Sequence, residues 1–207
     1  MLIDLCKGDR KSTNILKELA HELHADLIPK RWRKYTVATV PVTLWVNDLV
    51  RRIQQLNALA GSTDYGKNGI WFGGLLFPEA YLTATRQAIA QENDWSLEEL
   101  QLRLDISSEP HPQGFVLKNL YIAGASYSSE EQHINLSNQL ISKMPSVRIR
   151  WVLIKDCKEG SDPEVLIPVY LNSTRANLLF AVHIPTRNIE EFVWYQRGVA
   201  LISWTSD

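Results

Sequence analysis

Cysteine is nearly absent from this 207-residue chain: Cys6 and Cys157 are its only two. That argues against a disulfide framework or a thiolate metal site and suits the reducing cytosol. Neither sign of charge dominates. The 22 Lys and Arg face 23 Asp and Glu for a net charge of −1, so the chain has no built-in pull toward nucleic acid or an anionic membrane. No apolar run approaches the roughly 18 residues that a membrane span needs. The opening Met1-Leu2-Ile3-Asp4-Leu5-Cys6-Lys7 is too short and mixed for a secretory signal. The sequons at Asn135 and Asn172 therefore read as chance matches. No internal repeat or low-complexity tract is visible. What the chain does have is 45% hydrophobic residues, enough for one substantial core or two modest ones.

The first half carries helical periodicity. After Ser12-Thr13, an N-cap region, Ile15, Leu16, Leu19, Leu23 and Leu27 recur three and four apart, and Pro29 stops the helix. A basic stretch follows, Lys30-Arg31-Trp32-Arg33-Lys34. A second helix is expected from about Pro41 to Ala60 with Gly61 as its C-cap, Trp45, Leu49, Ile53, Leu56 and Ala60 lining one face. Pro78 opens a third, with Tyr81, Leu82, Thr85 and Ile89 inward. Gly73 and Gly74 are expected to make a tight positive-φ turn before it. Ser96 and Glu99 form a capping-box pattern for one helical turn. The period then changes to two: Leu100, Leu102, Leu104 and Ile106 alternate with polar residues, and strand-like runs follow at Phe115–Ala123, Val147–Ile154, Val165–Leu171, Leu178–Ile184 and Val199–Trp204. Pro168 inside its run marks an edge strand or a bulge. The expected fold is α+β: a helical segment over residues 1–99, then an antiparallel β-barrel of about six strands over 100–207.

Four motifs approach known chemistry and miss it. Gly61-Ser-Thr-Asp-Tyr-Gly66-Lys67-Asn68 is one residue short of a P-loop, lacks the hydroxyl for magnesium, and follows a helix where a strand is required. His21-Glu22-Leu23-His24 has the wrong spacing for a zinc-protease helix. Gly124-Ala-Ser126-Tyr-Ser128 lacks the second glycine of a nucleophile elbow and reads as a turn after a strand. The Lys30–Lys34 cluster is a single basic run in a neutral chain, better suited to an acidic protein surface or plain solvation than to nucleic acid. Catalytic, cofactor-binding and metal residues are therefore read as none. The competing readings are a stand-alone nucleotide-binding module, supported by the Gly61–Lys67 loop alone, and an adaptor using the basic turn.

Several signatures occur in order: Leu27-Ile-Pro29-x-x-Trp32; Leu44-Trp45-x-x-Asp48-Leu49-x-x-Arg52; the continuous Trp71-Phe-Gly-Gly-Leu-Leu-Phe-Pro78-Glu-Ala-Tyr81-Leu-Thr-Ala-Thr-Arg-Gln87; Gly114-Phe-Val-Leu-Lys-Asn-Leu120-Tyr-Ile-Ala-Gly124-Ala125; Met144-Pro145; Pro168-Val169-Tyr170; Arg175; and Gln196-Arg197-Gly198-Val199-Ala200-Leu201. Together they resemble the C-terminal domain of dynein heavy chains, in particular the cytoplasmic type.

That resemblance implies a domain of helices followed by a β-barrel, lying across a ring of six AAA+ modules, and a piece of a longer chain. It implies a non-catalytic regulatory cap that tunes the processivity and force of a minus-end-directed microtubule motor. ATP hydrolysis would belong to the ring and microtubule binding to the stalk. The implied partners are AAA+ ring modules of the same heavy chain; the parent motor would be a homodimer with accessory chains on microtubules, cytoplasmic and cytoskeleton-associated, with no nucleic acid and no membrane insertion. The first helix carries apolar residues beyond one narrow stripe. The candidate ring contacts are therefore Ile15, Leu16, Leu19, Leu27 and Ile28 with Lys30, Arg31, Arg33 and Lys34.

Overall fold

Thr13 opens the first helix, α1 (Asn14–His24): its backbone is extended at φ −103° and its Oγ1 accepts a 3.3 Å hydrogen bond from the Leu16 N–H. The helix ends sooner than the apolar spacing suggests. Asp26 takes φ 54°, and the N–H groups of Asp26 and Leu27 fold back to the carbonyls of Leu23 (3.1 Å) and Glu22 (2.9 Å). These two hydrogen bonds close the helix before Leu27 and Ile28 can join it. Asp26 also starts the second helix, α2 (Val42–Ala60). Its carbonyl accepts from the Val42 N–H, and its carboxylate accepts from both the N–H and the hydroxyl of Thr43, each at 3.0 Å.

The computed structural model describes residues 3–4, 7–8, 11, 13–36, 40–61, 69–105, 114–131, 133–158, 163–186 and 189–204, in two units, Met1–Asn57 and Ala58–Asp207. The Ser62–Asn68 part of the near-P-loop lies outside the described residues.

The second unit holds α3 (Pro78–Asn93), a short α4 (Glu191–Gln196) and one sheet. Pro78 sits in the first turn of α3, where its missing N–H costs nothing, and Asp94 at φ 53° ends the helix. Leu82 and Ile89 are buried as the periodicity requires, with Tyr81 and Thr85 half-buried. The turn at Leu97–Glu99 forms, but the Ser96 side chain makes no cap bond, so the capping-box chemistry is not used.

The sheet has eight strands: β1 (Leu100–Asp105), β2 (Gly114–Leu117), β3 (Tyr121–Ser128), β4 (His133–Lys143), β5 (Val147–Leu153), β6 (Glu164–Asn172), β7 (Leu178–Pro185) and β8 (Ala200–Trp204). Their order is β2-β5-β1-β7-β6-β8-β3-β4. The expected closed antiparallel barrel of six strands is not formed. The sheet is open, with β2 and β4 at its edges, and mixed, with β1 parallel to β7 and β6 parallel to β8. Alternation reports that a strand has a buried face; it carries no information on which strand lies beside it or whether the ends meet. Two strands also escaped the count. Asn119 at φ 54° breaks the run from Phe115 into β2 and β3. β4 shows mostly polar and exposed residues beyond Ile134, so it lacks the apolar rhythm of β5.

Three local expectations change as well. Gly124 lies inside β3 at φ 71°, where the β3–β4 register shifts, so Gly124–Ser128 is bulged strand and not a turn. Pro168 sits in an interior strand, between β7 and β8, so the edge alternative fails, while the register shift beside it at Val169/Tyr170 fits the bulge alternative. Gly73 and Gly74 form a buried 3-10 turn, Phe72–Gly74, and neither is among the positive-φ glycines. What this turn needs is closeness to β8: the Gly73 N–H donates to Ser203 Oγ (2.9 Å) and the Trp71 Nε1–H to the Ser203 carbonyl (3.0 Å), both buried.

One core fills the second unit. Phe72 is its aromatic hub, 5.8 Å from each of Tyr81, Phe115 and Phe180 by ring centroids. Trp194, on α4, is fully buried. Trp151 on β5 reaches α3 through Nε1–H donation to Thr85 Oγ1 (3.1 Å), with the Arg86 guanidinium 5.7 Å from its ring centre.

Candidate docking surface

In the first unit, α2 is fixed at its start and leaves one apolar stripe uncovered. Asp26 caps it, Trp45 stands 6.1 Å from Trp32 by ring centroids, and Arg52 Nε bonds Asp48 Oδ2 at 2.6 Å one turn away. Beyond Val42, buried at 6% exposure, the apolar residues face outward: Val46 (41%), Leu49 (42%), Val50 (45%), Ile53 (48%) and Leu56 (37%). At about 100° per residue these five fall within roughly a third of the helix circumference. Leu44, also exposed, points to the other side. Covering the five would remove apolar surface worth on the order of 5 kcal/mol, since complete burial of one such side chain is worth about 1.5–3 kcal/mol.

The contact residues expected from sequence separate into distinct environments. Ile15 and Leu27 are half exposed, at 49% and 50%, while Leu16 and Ile28 are buried and Leu19 is intermediate. Lys30, Arg31, Arg33 and Lys34 are all exposed. Part of their charge is answered locally. Lys30 Nζ lies 3.8 Å from Glu18 and Arg33 Nη2 3.8 Å from Glu22, both on α1, and Arg33 Nε donates to the Ile28 carbonyl at 3.1 Å. The α2 stripe lies outside the contact residues expected from sequence. Its signal was present in the spacing of Leu49, Ile53 and Leu56, but spacing does not say whether the covering surface belongs to the same domain.

Titratable groups elsewhere are arranged as structural pairs. Arg103 on β1 pairs with Glu164 on β6, and Arg150 on β5 with Asp105 on β1 at 3.1 Å. On α4 the Tyr195 hydroxyl donates to the Glu191 carboxylate, which raises its pKa above the ordinary tyrosine value, assisted by burial and by the carboxylate's charge. Among the described residues no three His, Cys, Asp or Glu side chains converge on a point where a metal could sit, and no helix is long and apolar enough to cross a membrane.

The family model for the C-terminal domain of the dynein heavy chain matches residues 1–203. The chain belongs to that family. The cytoplasmic dynein heavy chain of Paramecium tetraurelia is 38% identical over 206 residues, covering 97% of the chain. Those of Dictyostelium discoideum and Drosophila melanogaster are 35% and 36% identical over 100% and 98% of it. The human dynein axonemal heavy chain 9 is more distant, at 26%. The chain spans only 4% of the length of each of these heavy chains. Within this dynein C-terminal domain, the block around Trp71-Phe72-Gly73-Gly74 joins β8 through Ser203 and carries the aromatic hub of the core. Leu76 and Phe77 at its end are exposed, at 72% and 75%.

Proposed function

We propose that this domain is a non-catalytic regulatory cap of a cytoplasmic dynein heavy chain. It packs on AAA+ ring modules of the same polypeptide and tunes the processivity and force of a minus-end-directed microtubule motor. The motor is a cytoskeleton-associated homodimer with accessory chains, and ATP hydrolysis resides in the ring. The observation that carries this reading is the uncovered apolar and basic surface of the first unit, in a chain that amounts to 4% of its heavy-chain relatives. Ile15 and Leu27 supply apolar contact, and Lys30, Arg31, Arg33 and Lys34 supply charge that steers and orients the docking.

Such a cap influences the motor only if it binds the ring states unequally. A difference of about 1–3 kcal/mol between states shifts their balance severalfold to about a hundredfold. The test is single-molecule motility of the intact motor with and without this domain, with stall force and microtubule-stimulated ATPase measured alongside. Removal is expected to change run length and stall force. If all three quantities stay at their intact values, the regulatory role is wrong.

A further inference from the structure

We propose that Arg175 and Arg197, in the second unit, form an anion-recognition pair that takes the carboxylates of an acidic, leucine-containing peptide segment of a separate partner protein. The pair shares no residue with the first unit and does not depend on the regulatory reading above.

Three connections meet at this place: the turn between β6 and β7, the turn between α4 and β8, and a bulge of β4. Ala123 pairs with Ile141 and Ala125 with Leu136, so Gly124 alone opposes the four residues 137–140 of β4. Arg197, at the end of α4, reaches that bulge: its Nη1 donates to Asn138 Oδ1 at 2.9 Å and to the Ser137 carbonyl at 3.3 Å. Its own carbonyl oxygen passes over Gly124, where a Cβ would stand 2.8 Å away. Arg175 comes from the opposite side. A Cβ on Gly198 would lie 3.4 Å from Arg175 Nη1, so this guanidinium is seated on the bare Gly198 backbone, next in sequence to Arg197. Arg175 itself holds φ 56°, a conformation that favours glycine, and the turn keeps it there with an N–H bond to the Asn172 carbonyl at 3.1 Å.

The charge of the pair is unanswered. Arg103 and Arg150 in the same unit each have a carboxylate, whereas among the described residues neither Arg175 nor Arg197 has one within ion-pair distance, and the acceptors on Arg197 are neutral. Both arginines are exposed. A planar guanidinium matches a carboxylate bidentately, and two brought to one place by separate loops suit an acidic segment. Apolar side chains flank them and select a peptide over a small free anion. Leu140, two residues after Asn138 in the bulge, is 89% exposed, and Leu178, three residues after Arg175, is 58% exposed. A free anion would leave both leucines in water; a peptide alternating acids with leucines covers them.

Fluorescence polarisation with fluorescein-labelled heptapeptides alternating Glu or Asp with Leu tests the pair, first on the 207-residue chain and then on the intact heavy chain. Saturable binding is expected, with Arg175→Gln and Arg197→Gln each weakening it about tenfold and Arg175→Lys less, since lysine keeps the charge and loses the fork. Arg31→Gln and Lys34→Gln should change it by less than about twofold. Arg197→Gln also removes bonds to the β4 bulge, so Arg175→Gln, which breaks no such bond, decides the matter, with the urea midpoint of each variant confirming the fold. No binding above that of the matching Gln peptides would overturn the proposal, as would affinity unchanged in Arg175→Gln. Loss in Arg31→Gln with Arg175→Gln unaffected would move the site to the basic turn. Inorganic phosphate binding at Arg175 as tightly as the peptides would make the ligand a free anion. Binding by the 207-residue chain but not by the heavy chain would mean that its own polypeptide fills the site, and that too sinks the proposal.

Discussion

Arg103 and Arg150 stand directly opposite each other on the neighbouring strands β1 and β5, and each is held by a different carboxylate. Like charges at opposed positions repel. Here Glu164 reaches Arg103 from β6 and Asp105 reaches Arg150 within the pair, so the repulsion is answered on both sides. His183, paired with Arg103 in the β1–β7 bridge, adds a ring nitrogen 3.9 Å from Glu164.

Glu164→Gln therefore leaves Arg103 facing Arg150 and His183 with its counter-charge removed. The Glu164 and Arg103 side chains are 11% and 28% exposed, so solvent screens the loss only in part, and a destabilisation of about 1–2 kcal/mol is expected. Urea denaturation checks it, and added salt should shrink the difference between variant and parent.

Gly124→Ala should be more damaging than a mid-strand Gly→Ala change. Gly124 has φ 71°, and a Cβ there would sit 2.8 Å from the Arg197 carbonyl oxygen and 3.4 Å from Val199 Cγ2. Backbone strain plus that clash predicts a loss of roughly 2–3 kcal/mol, measured by thermal or chemical unfolding. An unchanged midpoint would refute the bulge geometry of β3.

Adjacent positions on α1 should answer oppositely. Leu16 is 4% exposed and Ile15 is 49% exposed. Leu16→Ala is expected to cost about 2–5 kcal/mol in the 207-residue chain, whereas Ile15→Ser should stay within about 0.5 kcal/mol of the parent apart from a small helix-propensity term. If α1 docks on the ring as proposed, the ranking reverses in the intact motor, and Ile15→Ser is expected to weaken that contact more than its effect on stability would suggest.

Tyr195 should ionise above the usual tyrosine range because its hydroxyl donates to Glu191 and the carboxylate opposes a phenolate beside it. A raised folded-state pKa means that the hydroxyl's contribution to stability is complete below about pH 10 and lost as pH rises through the folded value. Glu191→Gln should bring the Tyr195 titration back down, read as the phenolate absorbance lost in a Tyr195→Phe comparison.

Much of this was legible without coordinates. Thr13 as a cap, the start of α2 just after Pro41 and its end at Ala60, the inward Leu82 and Ile89 of α3, and the alternation of β1 and β5 are local statements. They hold because capping and periodicity are decided within a few residues along the sequence. The ordered motifs pointed to the family, and the match over residues 1–203 agrees. Tertiary structure alone decided that the strands form an open mixed sheet, because neighbours such as β6 and β8 are chosen by long-range packing with α4 between them in sequence. It also decided that Leu16 is covered while Ile15 is not, and that the stripe from Val46 to Leu56 faces outward. A sequence records which side of a helix is apolar. What lies against that side is a property of distant residues brought together by the fold, or of residues in the rest of a longer polypeptide.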